Sequence, residues 1–384
     1  MFLRSIVKSV LRCLTRHHLI GIVKNYYSSL TEWQLKTRCN KSIVSWSISS
    51  INHTQSAGYP DICIPEESKG SFWAEIARIH TYIVRAKGAY VGTNSLDVVL
   101  PDRSLIGELL FNDRGTQKIH LISSYKKYYS VPKKQEDGKY ATIWSWLSDN
   151  YAYWLTDSLA RLWVLRGEGD YKLLVPDGAT PWQLESLAFL GWSGNRIRRQ
   201  SAKFAKYEFL LVPSFASDRY ACPNGEALRW LAGRFQHVGN GNKNGATAAK
   251  RYYLSRAKTR FKRVVNEDEV IALLSQHGFE VLLPENHSFE EQISLFRGAG
   301  IIVSPFGASL ANALFCRPGT WIVELVGSRH RNPHYINLSR FLGFKHVYVT
   351  NYGLPSDHQD GEWKKDFGVS IDRLKRALEY VFAD

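Results

Sequence analysis

The 384-residue sequence has little of what staples or spans. Its five cysteines, Cys13, Cys39, Cys63, Cys222 and Cys316, stand far apart with no CxxC pair. That usage encodes neither a disulfide framework nor a regularly spaced zinc site, and it fits a reducing compartment. The aliphatic runs are short, such as Leu19 to Val23 around one glycine, against the roughly 18 to 20 apolar residues a membrane-spanning helix needs. The basic N-terminus is not followed by a compact apolar stretch ending in small residues, so no secretory signal is expected. No DxD triplet of the kind that holds a metal and a diphosphate is present; the nearest motif is Glu168-Gly-Asp170. Pro333 interrupts the helical spacing of His330 and His334, which argues against a metal pair there. Zinc-finger and aromatic ribonucleoprotein signatures are missing, so no nucleic acid partner is expected.

Acid is scarce in two places. The chain carries 50 Lys+Arg against 35 Asp+Glu, a net charge of +15. Residues 1–31 hold Arg4, Lys8, Arg12, Arg16 and Lys24 with no acid before Glu32. Residues 193–263 hold sixteen bases against Glu208, Asp218 and Glu226, and the remainder is slightly acidic. At the N-terminus the bases recur every four residues beside Leu3, Val7, Val10 and Leu14, which gives a helix one basic and one apolar face. Such a helix suits an anionic membrane surface, or packs on the protein's own core with its bases in water. The second basic region is interrupted by apolar stretches such as Tyr207 to Val212, and reads as folded surface able to meet acidic lipid or a phosphorylated ligand.

An apolar content of 44% with 13% aromatics is globular. From about residue 250, short apolar runs alternate with helical patterns: Tyr252 to Leu254, Asn266 to His277, Phe279 to Leu283, Ser288 to Arg297 and Ile301 to Ser304. Trp321 to Leu325, Pro333 to Phe341, His346 to Val349 and Ile371 to Phe382 continue the series. Asn266 with Glu269, and Ser288 with Glu291, read as capping boxes, and Gly278 as a helix stop. The order predicts a parallel, helix-covered sheet. A fainter alternation precedes it: a helix over 151–166, a strand at 171–175, a helix over 181–190, a strand at 207–212 and a helix over 225–235. The polar stretch 239–245 is the natural linker. The α/β class is therefore expected, with domains at 1–70 (amphipathic lead-in), 71–240 and 241–384, the last helix able to cross back.

The sharpest segment is Ile301 to Phe315. A buried strand ends in a turn with Gly307 and Ser309, and a helix begins, so unpaired backbone N–H groups face the carboxyl edge of the sheet, where phosphate binds. A tight helix start packed on the sheet gives the same local pattern. This run, with Tyr253-Leu-Ser-Arg256, Arg263-Val-Val-Asn-Glu267, Ser288-Phe-Glu-Glu-Gln292, Gly307-Ala-Ser-Leu-Ala-Asn312, Ile322-Val-Glu-Leu325 and Asn150-Tyr-Ala-Tyr-Trp-Leu-Thr-Asp157, resembles the family 61 glycosyltransferases of bacterial surface-polysaccharide type. The likeness covers about residues 145–330.

The resemblance implies a GT-B fold of two facing Rossmann-like domains. It implies an inverting, metal-independent transfer from a nucleotide diphosphate sugar to a glycan or lipid-linked acceptor, without a cofactor, on the cytoplasmic membrane face. Arg256, Arg260 and Arg263 would neutralise the diphosphate, or form surface ion pairs. Glu324 would accept the ribose hydroxyls. Asn266, Gln292, Gly307, Ala308, Ser309, Leu310 and Asn312 would complete the donor site, with Asn266 equally a helix cap. The family usually has His at the positions of Tyr153 and Phe306, and neither replacement is a base near neutral pH. Asp157, at i+4 from Tyr153, is the remaining proton acceptor or else a helix-surface acid. The alternative is a nucleotide-sugar-binding scaffold that has lost turnover. Removing residues 1–24 is expected to leave a folded protein that no longer sediments with anionic vesicles; unfolding of the truncated chain would make the segment core.

Overall fold

The computed structural model describes residues 25–27, 44–50, 80–92, 96–106, 135–202, 204–217, 223–237, 249–327, 332–350 and 366–383, and the statements below concern these. The basic helix expected over 1–24 and the linker 239–245 lie outside them.

One mixed sheet is built from β1 (Asn25–Tyr27), β2 (Val44–Ser50), β3 (His80–Gly92), β4 (Val98–Val99), β5 (Ser104–Ile106), β6 (Gln135–Ala141), β7 (Lys172–Pro176), β8 (Ile197–Gln200) and β9 (Phe204–Pro213). Its order is β1-β5-β4-β3-β9-β6-β7-β8, with β2 beside β3. The half β9-β6-β7-β8 is parallel, whereas β3 runs antiparallel to β9 and to β2. Residues 25–27 and 44–50 thus enter the first sheet rather than standing apart as a lead-in. The helix expected over 151–166 is broken. α1 (Tyr151–Tyr153) runs into a wide turn over Trp154–Ser158, then α2 (Arg161–Val164) follows. α3 (Pro181–Phe189) and α4 (Gly225–Phe235) stand where the periodicity predicts.

The second sheet is wholly parallel: β10 (Lys250–Leu254), α5 (Glu267–Gln276), β11 (Glu280–Leu282), α6 (Phe289–Arg297), β12 (Ala299–Pro305), β13 (Trp321–Val326), α7 (His334–Leu342), β14 (Lys345–Thr350) and α8 (Ile371–Ala383). The strand order is β11-β10-β12-β13-β14. β13 is buried along its whole length, as a strand covered on both faces must be. Leu374, Ala377, Leu378 and Val381 of α8 join the core on one face of this sheet, so the last helix stays with it and does not cross back. The Ser288–Glu291 capping box forms. The Asn266 one does not: the amide instead grips the backbone of Val369, donating to its carbonyl at 3.0 Å and accepting from its N–H at 2.8 Å.

The two sheets share one apolar core, in which Leu187, Leu228, Leu231 and Phe235 meet Leu254, Phe289, Ile293, Phe296 and Phe315. Phe235 stands edge-on to Phe289 and Phe315, with ring centres 5.8 and 5.2 Å apart, a geometry that adds to area burial. Phe289→Ala is expected to lose about 3 to 5 kcal/mol of stability in one transition that melts both sheets together. Denaturant titration followed by tryptophan fluorescence and far-UV signals checks this; two separate transitions would show sheets that fold independently.

Candidate functional site

In the second sheet the chain leaves β10 for the edge strand β11, then returns across β10 to β12. Connections on either side of β10 and β12 therefore diverge, and it is beyond the carboxyl ends of such a strand pair that α/β sheets form a ligand crevice. Arg256 follows β10, and Gly307 follows β12. The guanidinium lies directly on the glycine: a Cβ at Gly307 would stand 1.8 Å from Arg256 Nη1. Gly307 has φ −179°, an extended backbone open to any residue, so space and not conformation demands glycine. Arg256 Nε donates to the carbonyl of Lys262 (3.2 Å) and Nη2 to that of Phe261 (3.0 Å). The loop's own backbone thus orients the cation. Burial pulls the Arg256 pKa down.

Lys262 has its Nζ 4.3 Å from the centre of the Phe306 ring. Burial, and then the Arg256 charge, pull its pKa down to about 8, opposed by Glu324. Glu324 is wholly buried on β13, its Oε2 3.0 Å from His346 Nε2, while His346 Nδ1 lies 2.9 Å from Ser339 Oγ. Burial raises the Glu324 pKa. Tyr335 of α7 fixes the turn by donating to the Gly307 carbonyl at 2.5 Å. Beside Tyr335 lie Phe306 (5.3 Å between ring centres) and His334 (4.8 Å), and Tyr153 stands edge-on to His334 at 6.3 Å. The Thr156 hydroxyl gives its one proton to the Ala152 carbonyl (2.8 Å), so His334 Nε2, 3.3 Å from Thr156 Oγ1, must be the donor in that contact.

The structure brings together Tyr153, Arg256, Gly307 and Glu324, with the half-exposed Ala308 and Ser309 opening a 3-10 helix, Ala308–Phe315, at the same edge. Other expectations need correction. Arg263 is committed to Asp366, which accepts from its backbone N, Nε and Nη2 at 2.9, 2.9 and 2.7 Å. Arg260 is exposed and lies over Phe261, its guanidinium 5.2 Å from the ring centre. Leu310 is buried in the shared core, and the Asn266 amide is held by Val369. Gln292 and Asn312 join the two sheets: the Tyr151 hydroxyl lies between Asn312 Oδ1 and Gln292 Oε1 (3.1 Å) and shares its one proton between them, and Asn312 Nδ2 donates to the same Oε1 at 2.8 Å. Glu324 has no exposed surface, so it does not present its carboxylate to a ribose.

Asp157 departs furthest from expectation. Leu159 N donates to the Trp154 carbonyl, five residues back, at 2.9 Å. That wide turn replaces regular α-helix between Tyr153 and Asp157. The carboxylate is 1% exposed, and its Oδ1 accepts from Ala216 N (2.8 Å) and Ser217 Oγ (2.9 Å). Its charge acts on the equally buried Arg161, which donates to the carbonyls of Ile143 (2.9 Å) and Pro213 (2.6 Å). Asp157 is therefore a structural anchor and not an acid open to substrate.

Several of the described bases of 193–263 have local partners. Arg198 pairs with Glu136 and Lys250 with Glu280, Arg229 donates to the Phe341 carbonyl, and Arg251 to that of His277. Arg196 covers Trp192 beside a hollow of about 760 Å³ on the first sheet that Trp230 and Arg234 also line. Sequence reasoning missed Lys262, Tyr335 and Tyr151. Lys262 sits in a run of bases with nothing to mark it, and Tyr335 reaches Gly307 across 28 positions.

Residues 151–323 match the family model Glycosyltransferase 61. Among curated proteins, the chain is 26% identical over 237 residues to Bos taurus protein O-linked-mannose beta-1,4-N-acetylglucosaminyltransferase 2, a match over 57% of this chain and 40% of that one. The Homo sapiens protein of that name is 25% identical over the same shares. The Xenopus laevis one is 32% identical over 149 residues, 34% of this chain and 25% of its own. The chain thus spans about 40% of the length of the first two relatives.

Asp157→Asn is expected to cost stability, because it leaves the buried Arg161 charge uncompensated, at about 3 to 5 kcal/mol. The denaturation midpoint reads this. A variant with an unchanged midpoint but lost turnover would return Asp157 to catalysis.

Proposed function

We propose that this chain, whose residues 151–323 match the Glycosyltransferase 61 family model, is a glycosyltransferase that passes a sugar from a nucleotide diphosphate donor to a glycan acceptor. One observation carries the reading: Arg256, half-buried, held by two backbone carbonyls and packed on Gly307, places a guanidinium fork at the crevice between β10 and β12. As the bond from the sugar's anomeric carbon to the diphosphate breaks, negative charge grows on the leaving oxygens. A preorganised cation there stabilises it without reorganising.

Inversion and independence of a metal belong to this reading, with the guanidinium meeting the diphosphate. The second sheet is the donor side of a GT-B arrangement (241–384), and the first is the acceptor side (71–240). The acceptor would approach beside Tyr153, whose half-exposed ring stands edge-on to the buried His334. The relatives' printed activity, transfer of N-acetylglucosamine to protein O-linked mannose, makes N-acetylhexosamine donors the first to test. Glycan or lipid-linked glycan of a surface polysaccharide is the acceptor class to set against O-linked mannose. The basic segment 1–24 would hold the chain peripherally on the inner, anionic face of a membrane.

The second reading, a binding scaffold without turnover, draws on Phe306, whose apolar ring stands against Lys262 and Tyr335 where the family usually has imidazole. Donor transfer or hydrolysis separates the two, since a scaffold binds without releasing nucleotide. Arg256→Ala is expected to weaken binding of a nucleoside diphosphate by about 1.5 to 3 kcal/mol and that of the nucleoside hardly at all. Calorimetry on both ligands measures this, and equal losses would reject the assignment.

A further inference from the structure

The hollow of about 760 Å³ on the first sheet has no part in the transfer proposed above. Its walls are Asp137 on β6, Tyr171 just before β7 and Arg196 just before β8, with Trp230 and Arg234 from the last half of α4. These three strands are parallel, so the hollow sits toward their amino ends. The helix α1, which carries Tyr153 toward His334, follows the other end of β6. The hollow and the crevice therefore stand at opposite ends of that strand. A volume of this order is that of a small-molecule site.

Two of its cations are held in the same way. Arg166 lies over Trp163, its guanidinium carbon 4.0 Å from the ring centre, and Nη1 donates to the Trp163 carbonyl at 2.6 Å. Arg196 lies over Trp192 at 4.1 Å, and its Nη1 donates to the Gly191 carbonyl at 2.9 Å. Tyr171 stacks on Trp192 as well, with ring centres 4.9 Å apart. Each carbonyl bond uses one of a guanidinium's five N–H donors. Both forks are thus ordered before a ligand arrives, which removes an entropy loss from the binding step. Glu168 accepts from Arg85 (3.1 Å) and Lys139 (3.2 Å), and this fixes the turn that carries Asp170 and Tyr171.

Around these forks the lining mixes three kinds of group. Asp137, Asp170 and Asn195 are exposed and polar, and Tyr171 and Trp230 offer half-buried ring surface. A polyanion would meet the two carboxylates, and a polycation would meet Arg166, Arg196 and Arg234. A sugar ring meets neither objection. Its C–H face packs on an aromatic ring, and each hydroxyl on its rim both donates to a carboxylate and accepts from a guanidinium. We propose that this hollow is a second carbohydrate-binding site, which takes a neutral glycan chain and stands apart from the crevice where transfer occurs. The inference rests on the glycan-acceptor reading above: the hollow holds a stretch of the polymer that bears the acceptor, away from its reacting end.

The test is binding of chitotetraose, cellotetraose, xylotetraose and mannotetraose to the full chain without donor, detected by saturation-transfer NMR and quantified by titration calorimetry. At least one should bind. Arg196→Ala, Asp170→Asn and Trp230→Ala should each weaken that binding about five- to tenfold, the weight of one such contact. Arg256→Ala should hold the glycan as the wild type does. Binding of none of the four, or an affinity untouched by Arg196→Ala and Asp170→Asn, overturns the second site and leaves the donor reading standing. Weakening by Arg256→Ala puts the glycan in the crevice and overturns it too. A heparin hexasaccharide or an oligothymidylate bound more tightly than every tetraose, and lost in Arg196→Ala, makes the hollow a polyanion site and rejects the proposal. Glycan binding by a wild type that takes no nucleoside diphosphate would sink the donor reading alone. Should Trp230→Ala not fold, the exposed positions 170 and 196 decide the matter.

Discussion

The contact on which the site depends is the Arg256 guanidinium lying where a side chain at Gly307 would be. It ties the end of β10 to the end of β12, the two strands between which the direction of the crossovers changes. Any larger residue at 307 displaces the cation, and any displacement of the cation breaks its bonds to the carbonyls of Phe261 and Lys262. The left-handed backbone of Lys262, the Tyr335 bond to the Gly307 carbonyl and the seat of Lys262 on Phe306 are arranged around that one packed pair. A charge held by backbone carbonyls keeps its full positive character, whereas one held by a carboxylate is spent on its partner.

Several polar residues that look like ligand contacts serve assembly instead. Gln292 and Asn312 use their amides on each other and on Tyr151, so a strand-end motif of the second sheet becomes a joint with the first. Asp157 and Arg161 hold the loop after β9 to the broken helix through Ala216, Ser217 and Pro213. Such buried polar groups are demanding, because each must be matched where water cannot reach. That demand, as much as chemistry, restricts the residues these positions accept.

The second sheet was legible in the sequence because every signal agreed: apolar runs of strand length, helical periodicity between them, the Ser288 cap and the Gly278 stop at φ +74°. The first was legible only in part, since β1, β2 and β4 are short or distant from their partners. Arg256 and Gly307 could be placed side by side from the sequence because they follow strand ends, a position that sequence order reveals. Asp157 was misread because the groups that claim its carboxylate, Ala216 N and Ser217 Oγ, lie 59 and 60 positions away, and no local composition announces them. Asn266 has the cap's residue type, but a backbone 103 positions away competes for its amide. Lys262 and Tyr335 matter through tertiary approach alone.

The aromatic junction of Phe235, Phe289 and Phe315 also constrains motion. Close-packed rings transmit strain and do not slide freely, so a hinge between the sheets would have to part a filled core and strip the Tyr151 hydroxyl from two amides. Swinging one half of the molecule against the other is therefore an expensive way to admit or enclose a ligand. Access is left to the segments at the carboxyl edge of the second sheet, where rearranging the 256–262 loop or the half-exposed turn at 308–309 disturbs far less buried surface. Entry and exit of substrate are then governed at the lip of the crevice, and the interior behaves as a single stiff body.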